Sequence, residues 1–334
     1  MAKAGKSDLK LFALNTSREL GEGISKTLKI PLSKHEERDF EDGEHKIRSL
    51  ENVRNGDVYV VQSLYADDQQ SVNDKLCRLL FFIGSLWDAG ARQVTSITPY
   101  LCYMRKDRKT KPRDPVTTRY IGALFEAVNT YRILTMDVHN LQAYQNGFRC
   151  RTEHLEAQEL FAEYFARALG QEKIAVMSPD AGGVKRAEQF RQRMERATGR
   201  SIPLVFLEKI RSKGVVSGET VVGQVEGKTV IIIDDLISSG TTLARAAKAC
   251  VEMNARKVYA AATHGAFLGK AAEVLREKAL QEIVITNSIP PFRLPGELIK
   301  QKVNVLDIAP LLGEAILRLY NGGSLIELMD PIDK

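Results

Sequence analysis

The chain has 334 residues, 44% hydrophobic and 27% charged, and a net charge of +6 from 48 basic and 42 acidic residues, which suits small polyanionic substrates as well as nucleic acid. No apolar run approaches the roughly 20 residues of a membrane-spanning helix, and the polar N-terminus lacks a secretion-signal core, so we expect no membrane partner. The four cysteines are widely spaced, which argues against a disulfide framework or zinc site and leads us to expect a cytoplasmic protein.

Short apolar segments typical of strands alternate along the chain with segments of helical periodicity. Strands are predicted at 58–62, 94–98, 133–136, 174–177, 204–206, 230–233, 258–262 and 283–286. Helices are predicted at 69–87, 117–128, 155–169, 184–196 and 268–278. This alternation predicts an α/β fold with mostly parallel sheets, in which ligands bind beyond the carboxyl ends of the strands. The periodicity lapses near 147–154, which suggests a domain boundary there.

Four segments before residue 230 carry polar residues in patterns that are weak evidence individually. Residues 40–44 (FEDGE) have the composition of a solvated turn. Residues 103–115 form a basic segment that could contact nucleic acid or clamp a triphosphate. His139 ends a predicted strand, where a single histidine is more often structural than a ligand. Residues 178–183 (SPDAGG) follow a strand and open a helix, which makes them a candidate turn for an anion or a metal ion.

The segment 229–243 (TVIIIDDLISSGTTL) carries the most specific pattern in the chain. An apolar β-branched run leads to Asp234 and Asp235, and a loop of small residues, 238–242, precedes an amphipathic helix. Backbone N–H groups at such a helix N-terminus bind anions, whereas the carboxylates suit sugar hydroxyls or a metal ion. A phosphate beside a polyol describes ribose 5-phosphate. The ordinary alternative is a strand–turn–helix with a capping hydroxyl. The run at 60–64 resembles 232–236 without its acids.

Taken in this order, the five segments resemble those of the ribose-phosphate pyrophosphokinase family, which makes 5-phosphoribosyl 1-diphosphate (PRPP). The last segment also resembles the PRPP loop of type I phosphoribosyltransferases. The similarity extends from about residue 9 to about residue 328. It implies two phosphoribosyltransferase-like domains, each a mostly parallel sheet flanked by helices, at residues 7–153 on the ATP side and 154–330 on the ribose 5-phosphate side.

The resemblance also implies a role for each segment. The predicted ATP-binding residues are Phe40, Asp42, Glu44, Arg105, Lys106, Asp107 and Lys109. In the family, the first three of these reach the adenine pocket of a neighbouring subunit. The predicted ribose 5-phosphate-binding residues are Asp234, Asp235, Ser238, Ser239, Gly240, Thr241 and Thr242. The two acids would hold the ribose hydroxyls or their Mg²⁺, and the loop would hold the 5-phosphate. His139 and Asp180 would hold the Mg²⁺ cofactor on the ATP phosphates, and Lys209 and Arg211 would be catalytic cations.

The implied activity is transfer of the β,γ-diphosphoryl group of ATP to O1 of ribose 5-phosphate, giving PRPP and AMP. The resemblance further implies a homo-oligomer built from dimer units, with a hexamer as the larger alternative, and no nucleic-acid partner. Two alternatives stay open at this point. One is a phosphoribosyltransferase that consumes PRPP, and the other is a non-catalytic homologue that regulates an active synthetase.

Overall fold

A computed structural model of the chain describes residues 8–212 and 215–329, apart from the side chains of residues 208–219. It divides into two compact units, one formed by residues 1–155 and 308–334 and the other by residues 156–307. The domain boundaries expected from the sequence, 7–153 and 154–330, stay a prediction. No helix in the described part of the chain is both long and apolar enough to cross a bilayer.

The first unit contains a five-stranded parallel sheet with the strand order β1-β4-β5-β6-β7 and a separate antiparallel hairpin, β2–β3. Its elements up to residue 155 are β1 (Leu9–Ala13), α1 (Arg18–Leu28), β2 (His35–Asp39), β3 (His45–Ser49), β4 (Asp57–Val61), α2 (Val72–Asp88), β5 (Gln93–Ile97), α3 (Thr117–Ala127), β6 (Arg132–Met136), α4 (Leu141–Gly147) and β7 (Arg151–Leu155). Fully buried side chains such as Phe12, Val60 and Phe82 form its core, each contributing about 1.5–3 kcal/mol of burial free energy.

The second unit contains a seven-stranded sheet with the order β10-β9-β8-β11-β12-β13-β14, parallel except for the edge strand β10. Its elements are α5 (Gln158–Leu169), β8 (Ile174–Ser178), α6 (Val184–Thr198), β9 (Leu204–Ser212), β10 (Val215–Val222), β11 (Thr229–Ile237), α7 (Thr241–Glu252), β12 (Lys257–Gly265), α8 (Ala271–Val274), β13 (Glu282–Thr286), α9 (Gly296–Lys302) and β14 (Val303–Leu306). Ile232, Val258 and Ile283 are fully buried on neighbouring strands of this sheet.

The chain then returns to the first unit, to which α10 (Ala309–Asn321) and α11 (Ile326–Met329) belong. Helix α10 packs against α1, where a Cβ built on Gly313 would lie 2.6 Å from Thr27 Cγ2. Only glycine permits so close an approach of the two helices at this point.

The structure confirms the predicted α/β class, all eight predicted strands and four of the five predicted helices. Helix α2 begins at Val72 rather than at 69 because Ser71 and Asp74 form a capping box: the Ser71 N–H donates to Asp74 Oδ2 at 2.7 Å and the Asp74 N–H to Ser71 Oγ at 3.2 Å. The prediction of a helix at 268–278 is wrong, since only the single turn α8 forms there. Lys302 Nζ instead satisfies the carbonyl groups of Glu277 and Leu280.

Candidate active site

The paired acids at the end of β11 share one cation. Arg186 Nη1 lies 3.1 Å from Asp234 Oδ1 and 3.3 Å from Asp235 Oδ1. The Asp234 side chain is 22% exposed and the Asp235 side chain is 9% exposed. The more accessible of the two carboxylates is therefore that of Asp234, whereas Asp235 is turned further into the protein.

The electrostatics of the pair are dominated by burial. Burial and the adjacent Asp235 carboxylate raise the pKa of Asp234 to about 8, against the opposing influence of Arg186. The Asp235 backbone N–H also donates to Asp234 Oδ1 at 2.9 Å. An additional hydrogen-bond donor or cation would stabilise the ionised form of this buried carboxyl group. Acids with raised pKa values of this kind are common at ligand-binding sites.

Arg186 is a site residue that the sequence reasoning missed. It lies in the first turn of α6, directly after the 178–183 turn, and reaches across to β11 because β8 and β11 are adjacent parallel strands. A cation in the first turn of a helix that follows a strand exit was an available signal, since the carboxyl ends of neighbouring strands meet at one edge of the sheet.

The turn after β8 is shaped by Asp180. Its Oδ1 accepts hydrogen bonds from the N–H groups of Gly182 at 2.9 Å and Gly183 at 3.0 Å, while Ser178 Oγ donates to the Asp180 carbonyl at 2.6 Å. Asp180 is exposed, so its carboxylate is anchored by one oxygen yet accessible to solvent. This arrangement fits a hard cation that takes one or two protein carboxylates and completes its shell with water or phosphate oxygens.

The loop at 238–242 leads into α7 through Gly240, which adopts a left-handed conformation with φ +74°. A Cβ at this position would lie 2.6 Å from Leu275 Cδ2, so both the conformation and the close approach require glycine. Ser239 Oγ lies 3.0 Å from Thr241 Oγ1, and the Ser238 carbonyl accepts from the Leu268 N–H at 2.8 Å.

In this described loop no side chain caps the N-terminus of α7 at Gly240. The hydroxyls of Ser239 and Thr241 lie beside this first turn, where the Thr241 N–H makes a long hydrogen bond of 3.5 Å to Ser239 Oγ, and both residues are exposed. Uncapped N–H groups and the positive end of the helix dipole attract an anion. The loop therefore has the features of a phosphate site, as predicted for Ser238, Ser239, Gly240, Thr241 and Thr242.

In the first unit, the residues predicted to reach a neighbouring subunit lie at the tip of the β2–β3 hairpin. Phe40 is 40% exposed, and the guanidinium of Arg38 lies 5.2 Å from its ring centroid. The Phe40 N–H donates to the Glu44 carbonyl at 2.8 Å, and the Glu44 N–H donates to Asp42 Oδ1 at 3.0 Å. Phe40 is thus partly presented to solvent on a closed turn, with the guanidinium of Arg38 beside its ring.

In the basic segment predicted to bind ATP, some side chains are paired with other protein groups and others are exposed to solvent. Lys106 Nζ lies 2.5 Å from Asp114 Oδ2, and Asp107 Oδ2 accepts from Asn140 Nδ2 at 2.5 Å. The ion pair and nearby hydrogen bonds keep the pKa of Asp114 well below its usual range. Arg105 and Lys109 are exposed. Lys106 and Asp107 therefore shape the loop, and Arg105 and Lys109 present its charge to solvent.

The predicted ligand His139 lies three residues after the end of β6 and is exposed. The turn before it is constrained: Asp137 has φ +38°, and its N–H donates to the Leu155 carbonyl at 3.0 Å. The Val138 N–H donates to His154 Nε2 at 3.2 Å. His154 supports this turn from β7, a role that no local pattern in the sequence indicated.

For several predicted site residues, the structure gives no evidence that they meet. His139 belongs to the first unit and Asp180 to the second, and the side chains of Lys209 and Arg211 lie outside the described residues. Where side chains are described, no group of three or more His, Cys, Asp or Glu residues could hold a metal ion. The site residues that the structure does bring together are those at the carboxyl edge of the second sheet.

The comparisons with known proteins agree over nearly the whole length of the chain. A family model for the N-terminal domain of ribose phosphate pyrophosphokinase matches residues 9–128, and one for the phosphoribosyl synthetase-associated domain matches residues 197–330. Ribose-phosphate pyrophosphokinase of Caldanaerobacter subterraneus subsp. tengcongensis is 38% identical over 324 residues, covering 96% of this chain and 98% of that protein. The corresponding protein of Bacillus cereus is 37% identical over 325 residues, covering 97% and 98%.

A similar solved structure is the crystal structure of phosphoribosylpyrophosphate synthetase from Mycobacterium smegmatis. It has a TM-score of 0.85 and 33% sequence identity, and the match covers 95% of this chain and 100% of that chain. Agreement of this extent includes both units and the segments between them.

Proposed function

The chain belongs to the ribose-phosphate pyrophosphokinase family, and from this premise we propose how its residues divide the work of the reaction. The enzyme transfers the β,γ-diphosphoryl group of ATP to O1 of ribose 5-phosphate, giving PRPP and AMP. The full-length similarity to synthetases favours this activity over a phosphoribosyltransferase and over a non-catalytic regulator.

The assignment of the sugar site depends on the groups that lie at the carboxyl edge of the second sheet. There the Asp234–Asp235 pair, bridged by Arg186, lies just upstream of the uncapped N-terminus of α7. The loop residues Ser238, Ser239, Gly240, Thr241 and Thr242 bind the 5-phosphate through backbone N–H groups and hydroxyls. The carboxylates accept hydrogen bonds from the ribose hydroxyls, which orients the sugar with its O1 toward the diphosphoryl group.

The ATP side draws on the first unit. Arg105 and Lys109 bind phosphate oxygens, while Lys106 and Asp107 keep the loop in shape through Asp114 and Asn140. Phe40, Asp42 and Glu44 form the adenine pocket of a neighbouring subunit, which makes the protein a homo-oligomer of at least two copies. Light scattering combined with an activity assay tests this point, since a fully active monomer would refute it.

His139 and Asp180 are our proposed ligands of Mg²⁺, and the accessible carboxylate of Asp180 suits this ion. When bound, Mg²⁺ neutralises charge on the ATP phosphates. Lys209 and Arg211 stabilise the charge that grows on the phosphoryl oxygens and on the departing AMP as O1 attacks the β-phosphorus in line. Positioning and charge stabilisation suffice for this transfer, and no covalent enzyme intermediate is required.

The test is to incubate the protein with ATP, Mg²⁺ and ribose 5-phosphate and to follow AMP and PRPP. We expect both products in equal amounts, and their loss when ribose 5-phosphate is omitted or EDTA is added. Release of ADP instead of AMP would identify a different phosphoryl transfer. Consumption of PRPP together with a base, with no dependence on ATP, would identify a phosphoribosyltransferase.

A further inference from the structure

The side chain of Asn140 joins the basic segment 103–115 to the turn that follows β6. Its Oδ1 atom accepts a hydrogen bond from the Ala143 N–H at 3.1 Å and so caps the N-terminus of α4. Its Nδ2 atom donates to Asp107 Oδ2 at 2.5 Å. The cap fixes the orientation of the Asn140 side chain, so its amide donor is presented to the basic segment at a defined position.

The buried carboxylate of Asp107 depends on this hydrogen bond. The Asp107 side chain is only 9% exposed. In the part of the chain that the structure describes, its other charged neighbour is Arg108, whose Nε lies 3.9 Å from Asp107 Oδ1 and whose side chain is 79% exposed. An exposed ion pair of this kind contributes little, whereas a carboxylate buried without a donor is strongly destabilised. The amide of Asn140 is therefore the group that keeps Asp107 in place.

Asp107 lies midway between the two exposed cations of the segment, Arg105 and Lys109. The hydrogen bonds that Asp114 Oδ2 accepts come from within the segment and fold its second half upon itself. The bond from Asn140 differs because it comes from outside, from the residue that caps α4. It therefore sets where the middle of the segment lies relative to the carboxyl edge of the first sheet.

We propose that Asn140 is a positioning residue for ATP: its hydrogen bond to Asp107 holds Arg105 and Lys109 in place for the triphosphate before ATP binds. The proposal rests on the proposed assignment of the ATP phosphates to these two cations. Asp107 then acts through the segment, because a carboxylate in contact with phosphate oxygens would be repelled by them. A segment that is already ordered loses less conformational freedom on binding, so Asn140 raises the affinity for ATP without touching it.

The test is calorimetric titration of ATP, with Mg²⁺, into the full-length protein and its Asn140 variants. Asn140→Ser keeps a capping oxygen but loses the amide donor, and it should bind ATP about tenfold more weakly. Asn140→Asp also caps the helix but places a second carboxylate against Asp107, so a loss of about 30-fold is expected. The affinity for ribose 5-phosphate should stay within about twofold of the wild type, since that ligand is assigned to the second unit.

Exchange of the two side chains separates positioning from a purely structural role. The double variant Asp107→Asn/Asn140→Asp restores a hydrogen bond between an amide and a carboxylate, with donor and acceptor exchanged. It should bind ATP at least about tenfold more tightly than Asn140→Asp alone. No such rescue is expected if Asp107 contacts ATP directly or if Asn140 only caps α4. The matched control is Asn146→Ser, an exposed position on the same helix, which should bind ATP like the wild type.

Two results would overturn the role of Asn140: Asn140→Ser with normal ATP affinity, or a double variant that binds no better than Asn140→Asp. A lower melting temperature at unchanged ATP affinity would likewise reduce Asn140 to a helix cap. Arg105→Gln and Lys109→Gln, titrated alongside, test the underlying assignment. If both bind ATP normally, the segment is not the phosphate site. If they lose affinity and the Asn140 variants do not, only the role of Asn140 is wrong.

Discussion

Strands β4 and β11 both run inside a parallel sheet, and each carries a polar pair followed by leucine at or near its carboxyl end. Gln62, Ser63 and Leu64 directly follow β4, and Asp234, Asp235 and Leu236 lie within the last residues of β11. Strand β4 lies between β1 and β5, and β11 lies between β8 and β12. The two positions are therefore comparable in topology, but their side chains are used differently.

At the first position, the hydrogen-bonding groups are satisfied within the protein. Gln62 Nε2 donates to Thr16 Oγ1 at 2.9 Å and to the Ser63 carbonyl at 3.1 Å, and Gln62 is 2% exposed. The Ser63 N–H donates to Ser17 Oγ at 2.9 Å, and Ser63 Oγ accepts from the Tyr100 N–H at 3.2 Å. This strand end is closed by hydrogen bonds between neutral groups, whereas the carboxyl group of Asp234 on β11 is still accessible to a ligand.

The sharpest difference between the units is expected at β9, which forms an antiparallel edge hairpin with β10 in the second sheet. We predict that Lys209→Ala lowers kcat by about 10²–10³-fold with little change in ATP affinity, because a cation that acts on transition-state charge affects the chemical step. Steady-state kinetics and nucleotide titration measure the two quantities. An increase in KM at normal kcat would contradict the assignment.

Gln62→Glu would place an acid at the sealed position of the first unit. The carboxylate would face the Ser63 carbonyl without a donor between them, so we expect a loss of about 2–3 kcal/mol in the free energy of unfolding. Denaturant unfolding measures this loss, and Gln62→Met, which removes the hydrogen bonds without adding charge, is the control. Normal stability together with weakened ribose 5-phosphate binding would show that this strand end also binds ligand.

Asp234→Asn tests the open position of the second unit. We expect a decrease of about 30-fold in kcat/KM for ribose 5-phosphate, because hydrogen bonds to a charged acceptor are lost. The melting temperature should be unchanged or slightly higher, since folding raises the pKa of this carboxyl and its charge is a burden to the empty site. A large fall in melting temperature with normal kinetics would instead indicate a structural acid.

A further expected effect is the pH dependence of stability. Because folding raises the pKa of Asp234 to about 8, the folded protein holds this proton more tightly than the unfolded chain. The resulting stability is complete below the ordinary pKa of 3.8 and is lost as the pH rises through about 8. Without ligand or Mg²⁺, the melting temperature of the wild type should fall relative to Asp234→Asn between pH 6 and about 9. Parallel curves would contradict the raised pKa.

The sequence by itself determined the features that depend on local pattern. The apolar run before Asp234 predicts a buried strand, and the small residues around Gly240 predict a turn into a helix, because both depend on neighbouring residues alone. The resemblance added the family, which the comparisons confirm. The limit of local pattern is visible at 268–278, where apolar spacing predicted a helix. Only the single turn α8 forms there, and Lys302 Nζ donates to the carbonyls of Glu277 and Leu280.

Only the tertiary structure decided which distant groups meet. Arg186 reaches Asp234, 48 residues further along the chain, and His154 supports the turn before His139 from a neighbouring strand. Lys106, predicted as a nucleotide ligand, is paired with Asp114, and α10 returns to pack on α1. Such pairings depend on strand order and helix packing. Strand order and helix packing bring side chains together regardless of their separation in sequence. The spacing of residues along the chain therefore does not predict these pairings.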